Sequence, residues 1–195
     1  MYSLPREIHQ EIIGWLAPEE QQMTRLVSRY WAGLIQPANV NLLKFGAIHN
    51  LVEYCVVGLS RGGSKNTICD ISAKYGSLDV LKWARAQECP WGSLTCTLAA
   101  NYGHFETLKW VRTHGCAWSQ NTCSWAAQNG HLEILQWLRK HGCPWDQWTC
   151  IDAARNGQLE VLKWAHEYGC PWNVYAADIT QFPPHIQDYV VKLRG

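Results

Sequence analysis

The sequence has 195 residues, of which 47% are hydrophobic and 17% charged, and its formal net charge is +1. These proportions allow a buried core and exclude the polar, highly charged composition of disordered chains. The charge gives no general attraction to nucleic acid, and no stretch approaches the roughly 20 apolar residues of a membrane helix, so we expect neither nucleic acid nor a membrane as a partner.

Residues 1–39 are predicted to form a small helical hairpin. A first helix opens at Leu4-Pro5 and is interrupted at Pro18, and a second helix follows the polar stretch 19–22. Both helices carry apolar residues at helical spacing, which indicates one apolar surface. The residues of this surface are Leu4, Pro5, Ile8, Ile12, Leu26, Val27 and Trp31.

This hairpin resembles the F-box, whose pattern has leucine-proline and glutamate-isoleucine at its start and leucine-valine-serine, a basic residue and tryptophan near its end. The matching residues are Leu4-Pro5, Glu7-Ile8, Leu26-Val27-Ser28-Arg29 and Trp31. The resemblance implies that the seven apolar residues bind a Skp-type adaptor and attach the chain to a cullin-RING ubiquitin ligase. The segment is slightly shorter than the family pattern. The alternative is that the same helices only cap the repeats that follow.

From residue 40 onward the sequence repeats itself every 27 residues. Eight of the nine cysteines and eight of the twelve tryptophans occupy positions of this repeat. Its clearest markers are Gly76, Gly103, Gly130 and Gly157. Self-similarity at a fixed period of this length is typical of a solenoid, in which each unit buries its apolar face against its neighbours.

Each unit is predicted to contain two short helices. In the best-preserved unit, residues 122–145, the first helix carries Ala126-Ala127 and ends at Gly130, where glycine can adopt the left-handed conformation that terminates a helix. The second helix has its apolar stripe at Leu135 and Leu138 and ends at Gly142. The small alanine pair lets neighbouring helices approach closely.

These units resemble the ankyrin repeat, and the likeness covers roughly residues 41–172. It rests on the segment Ala126-Ala127-Gln128-Asn129-Gly130-His131-Leu132-Glu133-Ile134-Leu135. The family period is about 33 residues, so the shorter period here implies that the β-turn finger between helix pairs is cut to a tight loop. The short form with Cys143-Pro144-Trp145 at the turn resembles the ankyrin-type arrays abundant in giant viruses of protists.

The predicted fold is therefore all-α, an ankyrin-like helical solenoid with an N-terminal F-box-like helical hairpin. We divide the chain into the F-box-like segment at 1–39, the repeats at 40–173 with a degenerate first unit, and a C-terminal cap at 174–195. Residues 51–54 resemble a worn second helix of that first unit. Pro183-Pro184 is expected to open a helix in the cap.

The cysteines do not indicate a metal site or a disulfide framework. Their number is odd and no signal peptide is recognisable, which favours a reducing compartment, and we expect the cytoplasm, of the host for a viral chain, or the nucleus. Within a unit Cys89 and Cys96 are seven residues apart, whereas zinc ligands usually pair two to four apart. We therefore expect buried thiols and neither a metal nor another cofactor.

Two further repeat positions have structural interpretations. The tryptophans at the turn, of which Trp91 is the first, are expected to pack one turn of the solenoid against the next. His104 and His131 follow helix-ending glycines, where histidine commonly binds backbone groups. Neither position indicates catalysis.

The sequence contains no phosphate-binding loop, metal-ligand motif or nucleophile motif, so we expect a binding protein and not an enzyme. Positions that differ from unit to unit are the ones that can encode a partner. The predicted target-binding residues are Tyr75, Tyr102, Gln128, Trp148 and Arg155. The predicted function is a substrate receptor that links a target on the repeats to a ubiquitin ligase. The alternative is an ankyrin scaffold or inhibitor without that link.

Overall fold

The computed structural model describes residues 42–60, 64–175 and 177–195, and the predictions for residues 1–39 lie outside this described part. Within it the chain is helical and contains no β-strand. The first helices of successive units are α1 (Leu42–His49), α3 (Ile68–Tyr75), α5 (Ser93–Asn101), α7 (Gln120–Gln128) and α9 (Gln147–Arg155). The second helices are α2 (Val52–Ser60), α4 (Leu78–Ala86), α6 (Phe105–Thr113), α8 (Leu132–Lys140) and α10 (Leu159–Glu167). A final helix, α11 (Pro184–Arg194), follows a short 3-10 helix at Ile179–Gln181.

Local sequence sets the ends of these helices. In front of α7 the backbone N–H of Ser119 donates to the Thr122 hydroxyl at 3.3 Å, which is half of a capping box. After α7, Gly130 has a φ of 78°, and the His131 N–H donates to the Ala126 carbonyl at 3.0 Å. This is the left-handed glycine cap that the glycine spacing predicts.

The core is a continuous stack and not a single cluster around one centre. Each of the three units between α5 and α10 contributes a fully buried leucine from its second helix and a buried alanine pair, such as Leu135 and Ala126-Ala127. First helices pack closely on the first helices of neighbouring units, whereas second helices contact one another much less. The first-helix side is therefore the inner side of the stack.

From the unit of α3 and α4 onward, a hydrogen bond joins each unit to the next at the position after the helix-ending glycine. The Nε2 atoms of His104 and His131 donate to the carbonyls of Lys74 and Asn101, at 2.9 and 3.0 Å. In the following unit Gln158 makes the same bond to the Gln128 carbonyl at 3.3 Å. These residues satisfy carbonyls that the end of a helix leaves without an intrahelical partner. The predicted role of histidine in binding backbone groups is confirmed, and the bond crosses between units.

The first described unit differs from the others in its cap. Asn50 takes the left-handed conformation, with a φ of 55°, where later units have glycine. Its side-chain oxygen accepts hydrogen bonds from the N–H groups of Asp79 and Val80, both at 3.1 Å, and so caps α4 of the next unit. Asparagine tolerates this conformation better than most residues. The chain therefore still turns after α1, although this unit lacks the glycine of the repeat.

The last unit has lost its first helix. A single 3-10 turn at Ile179–Gln181 stands where that helix belongs, and α11 begins at the proline pair as the sequence predicts. The guanidinium of Arg194 donates to the Val174 and Ala177 carbonyls at 2.6 Å each, which ties α11 to the loop after the last full unit.

No helix in the described parts of the chain has the length and apolar character needed to cross a membrane.

Candidate protein-binding surface

The outward side chains of α3, α5, α7 and α9 form one surface, which we call the first-helix surface. Positions 27 residues apart occupy the same place on successive helices, so each unit contributes corresponding residues to this surface. Its members are Asp70, Ile71, Lys74, Tyr75, Leu94, Leu98, Asn101, Tyr102, Trp125, Gln128, Asn129, Trp148, Asp152, Arg155 and Asn156.

The five predicted target-binding residues all lie on this surface. Tyr75, Tyr102 and Trp148 are exposed, by 42%, 45% and 46%, Arg155 is exposed and Gln128 is half-buried. They form two groups at opposite ends, with Gln128 between them. Their part in binding a target stays a prediction.

Cationic side chains hold the aromatic rings of both groups. The Lys74 ammonium lies 5.4 Å from the ring centroid of Tyr75 and 5.2 Å from that of Tyr102, so it joins two neighbouring units. At the other end the Arg155 guanidinium lies 5.7 Å from the Trp148 ring. Cation–π contacts of this kind restrict aromatic rings that would otherwise move freely in solvent.

The structure adds residues that the sequence reasoning missed. Leu98 and Trp125 are half-buried on this surface. They lie beside the shortened-finger residue Leu94, which is 49% exposed. Ile71, Leu98, Trp125 and Asp152 occupy one repeat position and differ in every unit. The variation at this position is the sequence signal for these residues. The position lies before the alanine pair and outside the shortened finger, which are the parts of the unit on which the prediction rests.

A cleft of about 530 Å³ opens on this surface between α3 and α5. Its apolar walls are Ile68, Ile71, Tyr75, Leu94 and Leu98, and Asp70, Lys74, Lys44, Ser64 and Thr67 complete the lining. The Asp70 carboxylate accepts a hydrogen bond from the Thr95 hydroxyl at 2.6 Å, which fixes it between the two units. The cleft therefore has an apolar wall and three charged lining residues, of which Asp70 is held in place by Thr95.

The middle of the first-helix surface carries no charge. Helices α5 and α7 contain no Asp, Glu, Lys or Arg, and their outward residues are amides, hydroxyls, leucines and aromatic rings. The second helices of the same units, α6 and α8, each carry acidic and basic residues. On α6 these include the Glu106–Lys109 ion pair at 2.8 Å. The two sides of the stack thus differ in charge.

The family model of ankyrin repeats matches residues 96–176 in three copies, which span three periods of 27 residues. Residues 96–176 are ankyrin repeats. This part of the chain is therefore a protein–protein interaction module. The same scan gives no F-box match. A search of curated proteins finds none that matches the chain.

The tryptophans at the turns hold neighbouring units together, as predicted. The Trp91 ring packs edge-on against Trp110 of the next unit, with centroids 5.9 Å apart. Trp91, Trp118 and Trp145 each also meet an arginine of their own unit, such as Arg112, whose guanidinium lies 3.9 Å from the Trp118 centroid. Arg112 also donates to the Cys116 carbonyl at 3.2 Å. Trp172 meets the His166 ring instead. These rings therefore pack the units of the stack against each other.

All nine cysteines are buried, and no cluster of three or more His, Cys, Asp or Glu in the described residues could hold a metal ion. Burial raises the pKa of the Cys69 thiol to about 12, with a smaller contribution from Cys89. Because the thiolate is the nucleophile and the metal ligand, a buried thiol with a raised pKa is inert near neutral pH.

We predict that the native protein reacts with Ellman's reagent at pH 8 far more slowly than the unfolded chain. Nine thiols should become reactive in guanidinium chloride, and a strong chelator should not change the unfolding midpoint. Elemental analysis and timed thiol titration check this. Fast labelling of several thiols in the native protein, or one zinc ion per ankyrin unit, would contradict the interpretation.

Proposed function

We propose that this chain is a non-enzymatic binding protein that recognises a target protein on its first-helix surface. The observation that carries the proposal is the contrast between the two sides of the stack. The cores of protein interfaces are depleted of charged residues and enriched in aromatic ones. The α5–α7 surface has this composition, whereas the second helices have the charge distribution of an ordinary solvated surface.

The titratable groups of the surface support a binding role over a catalytic one. Asp70 is bound to Thr95, and Lys74 lies over two tyrosine rings. Tyrosine, tryptophan and arginine are the residue types that contribute most at binding hot spots. The two groups built on Tyr75, Tyr102, Trp148 and Arg155 therefore supply anchors at both ends of an uncharged centre.

Replacing Tyr75, Tyr102, Trp148 and Arg155 together with alanine should abolish capture of the target from source-cell extract. Stability should change little, because all four side chains are exposed. A matched control replaces Lys109 and Lys163 on the second helices, which should leave capture intact. Captured proteins are compared by quantitative mass spectrometry, and thermal unfolding is measured in parallel. Normal capture by the quadruple variant would place recognition elsewhere.

We further propose that residues 1–39 link the bound target to a ubiquitin ligase in the cytoplasm or nucleus. The support is the sequence pattern of Leu4-Pro5 and Leu26-Val27-Ser28 with Trp31. With this link to a ligase, the chain is a substrate receptor. Without the link, the chain is an ankyrin scaffold or inhibitor.

Changing Leu4, Pro5 and Trp31 to alanine should abolish co-purification of a Skp-type adaptor while the repeats stay folded. Pull-down with purified adaptor and far-UV circular dichroism measure the two effects. Unchanged adaptor binding would remove the ligase role. Loss of helicity across the whole chain would favour the capping alternative.

A further inference from the structure

The uncharged centre of the first-helix surface is rich in side-chain amides that remain able to pair with a ligand. Asn129 donates to the Asn101 side-chain oxygen at 2.8 Å, which fixes two amides from neighbouring units against each other. The Asn101 NH₂ group, the Asn129 oxygen and the Gln128 amide make no further side-chain hydrogen bond within the described residues. Each amide presents a donor beside an acceptor.

This arrangement favours an extended ligand over a helical one. A peptide backbone in extended form has N–H and C=O groups free to pair with amides, whereas a helix has already used them internally. Amides from Asn101, Gln128 and Asn129 therefore match the backbone of an extended segment. A charged side chain lying over α5–α7 would lose water without gaining a counter-charge, which is costly.

The cleft between α3 and α5 lies at one end of this amide row. Ile71, Leu94 and Leu98 form an apolar wall, and the cleft volume of about 530 Å³ leaves room for one large apolar side chain. The charged residues of its lining are Lys44, Asp70 and Lys74. Burial of such a side chain contributes about 1.5–3 kcal/mol. The cleft supplies the affinity, and the amides supply the direction of the bound chain.

We propose that the first-helix surface binds an extended, uncharged peptide segment of its partner, anchored by one large aliphatic or aromatic side chain in the α3–α5 cleft. Adjacent packed helices are about 8–10 Å apart, so α3 to α9 span about 24–30 Å. An extended chain covers that distance with about eight residues at roughly 3.3 Å each. This inference rests on the proposed function and specifies the ligand of the same surface.

The test uses the full chain and a random twelve-residue peptide library displayed on phage. Enriched peptides should share one large apolar residue, followed or preceded by about five or six positions without Asp, Glu, Lys or Arg. Absence of enrichment, or a consensus with charged residues in its centre, would overturn the proposal.

Variants locate the bound peptide. In fluorescence anisotropy with a labelled selected peptide, Leu94→Glu should weaken binding by about tenfold or more, because it places a charge on the cleft wall. Gln128→Glu and Gln128→Lys should both weaken it, since either charge enters the neutral centre. Gln136→Glu and Gln136→Lys, on the exposed face of α8, are the matched controls and should bind as the wild type does.

Carbon-13 chemical shifts of the labelled peptide decide its conformation. Extended-type shifts support the proposal. Helical shifts combined with sensitivity to Leu94→Glu would overturn the extended conformation and leave the proposed function standing. Binding insensitive to both Leu94→Glu and Gln128→Lys would overturn the inference and the proposed surface together. Self-association that Leu94→Glu abolishes would identify a second copy of the chain as the occupant and overturn it as well.

Discussion

Gly103→Ala is expected to destabilise the protein by about 2–3 kcal/mol, whereas Gly115→Ala in the same unit should cost only about 1–2 kcal/mol. Both glycines are left-handed, with φ values of 78° and 83°. They share the strain that a Cβ introduces in this conformation, and they differ in their surroundings.

A Cβ on Gly103 would lie 2.8 Å from Cε1 of His131, while a Cβ on Gly115 meets nothing within 4 Å. The histidine ring would have to move, and its hydrogen bond to the Asn101 carbonyl would be lost. The Asn101 carbonyl is part-buried, so its loss of a partner should cost about 1 kcal/mol, at the low end of the range for buried groups. Gly103 is therefore required for backbone conformation and also for contact between units.

Urea unfolding of the two variants, followed by far-UV circular dichroism, measures the difference. The double variant Gly103→Ala with His131→Ala provides a control, because it removes the clash and should be less destabilised than the sum of its single changes. Equal destabilisation by Gly103→Ala and Gly115→Ala would show that only backbone strain matters at this position.

Much of the fold could be predicted from the sequence because its determinants are local. The bounds of α7 and α8 follow from an alanine pair, a leucine stripe and two glycines, all within one unit. The capping role of Gly130 follows from its place after the helix. The 27-residue period then carries each assignment to the other units.

The parts that were missed depend on contacts between units or on interrupted patterns. The spacing of His131 indicates a backbone bond but does not show that its acceptor, the Asn101 carbonyl, lies 30 residues away. Asn50 replaces a glycine, so the first unit breaks the marker that defines the period. The 3-10 turn at Ile179–Gln181 replaces a whole helix and has no counterpart in the repeat.

The candidate site was predictable only in part. Variation between units pointed to Tyr75, Tyr102 and Trp148 as candidate binding residues, and all three are exposed in the structure. It did not identify the α3–α5 cleft, because a cleft depends on how two helices pack. Leu98 and Trp125 are half-buried in the spaces between helices, and a one-unit pattern assigns such residues to the core.

Leu135→Ala should cost about 3–4 kcal/mol, because Leu135 is fully buried and its removal leaves a cavity in the middle of the stack. Leu94→Ala is the matched control and should cost well under about 1 kcal/mol, since Leu94 is 49% exposed. The midpoints of urea unfolding compare the two. Similar shifts for both variants would contradict the assignment of Leu135 to the core.

The position of the change along the stack should matter as well as its burial. In a solenoid each unit is stabilised only by its neighbours. A cavity at Leu135 should therefore weaken the units on both sides of it. The same change at the equally buried Leu162 should weaken mainly the C-terminal end of the stack. Hydrogen exchange read by mass spectrometry should therefore show lost protection in α5 to α10 for Leu135→Ala. For Leu162→Ala the loss should be confined to α7 onward, with α3 to α6 protected as in the wild type. Uniform loss of protection across the chain in both variants would mean that the units unfold as a single cooperative core.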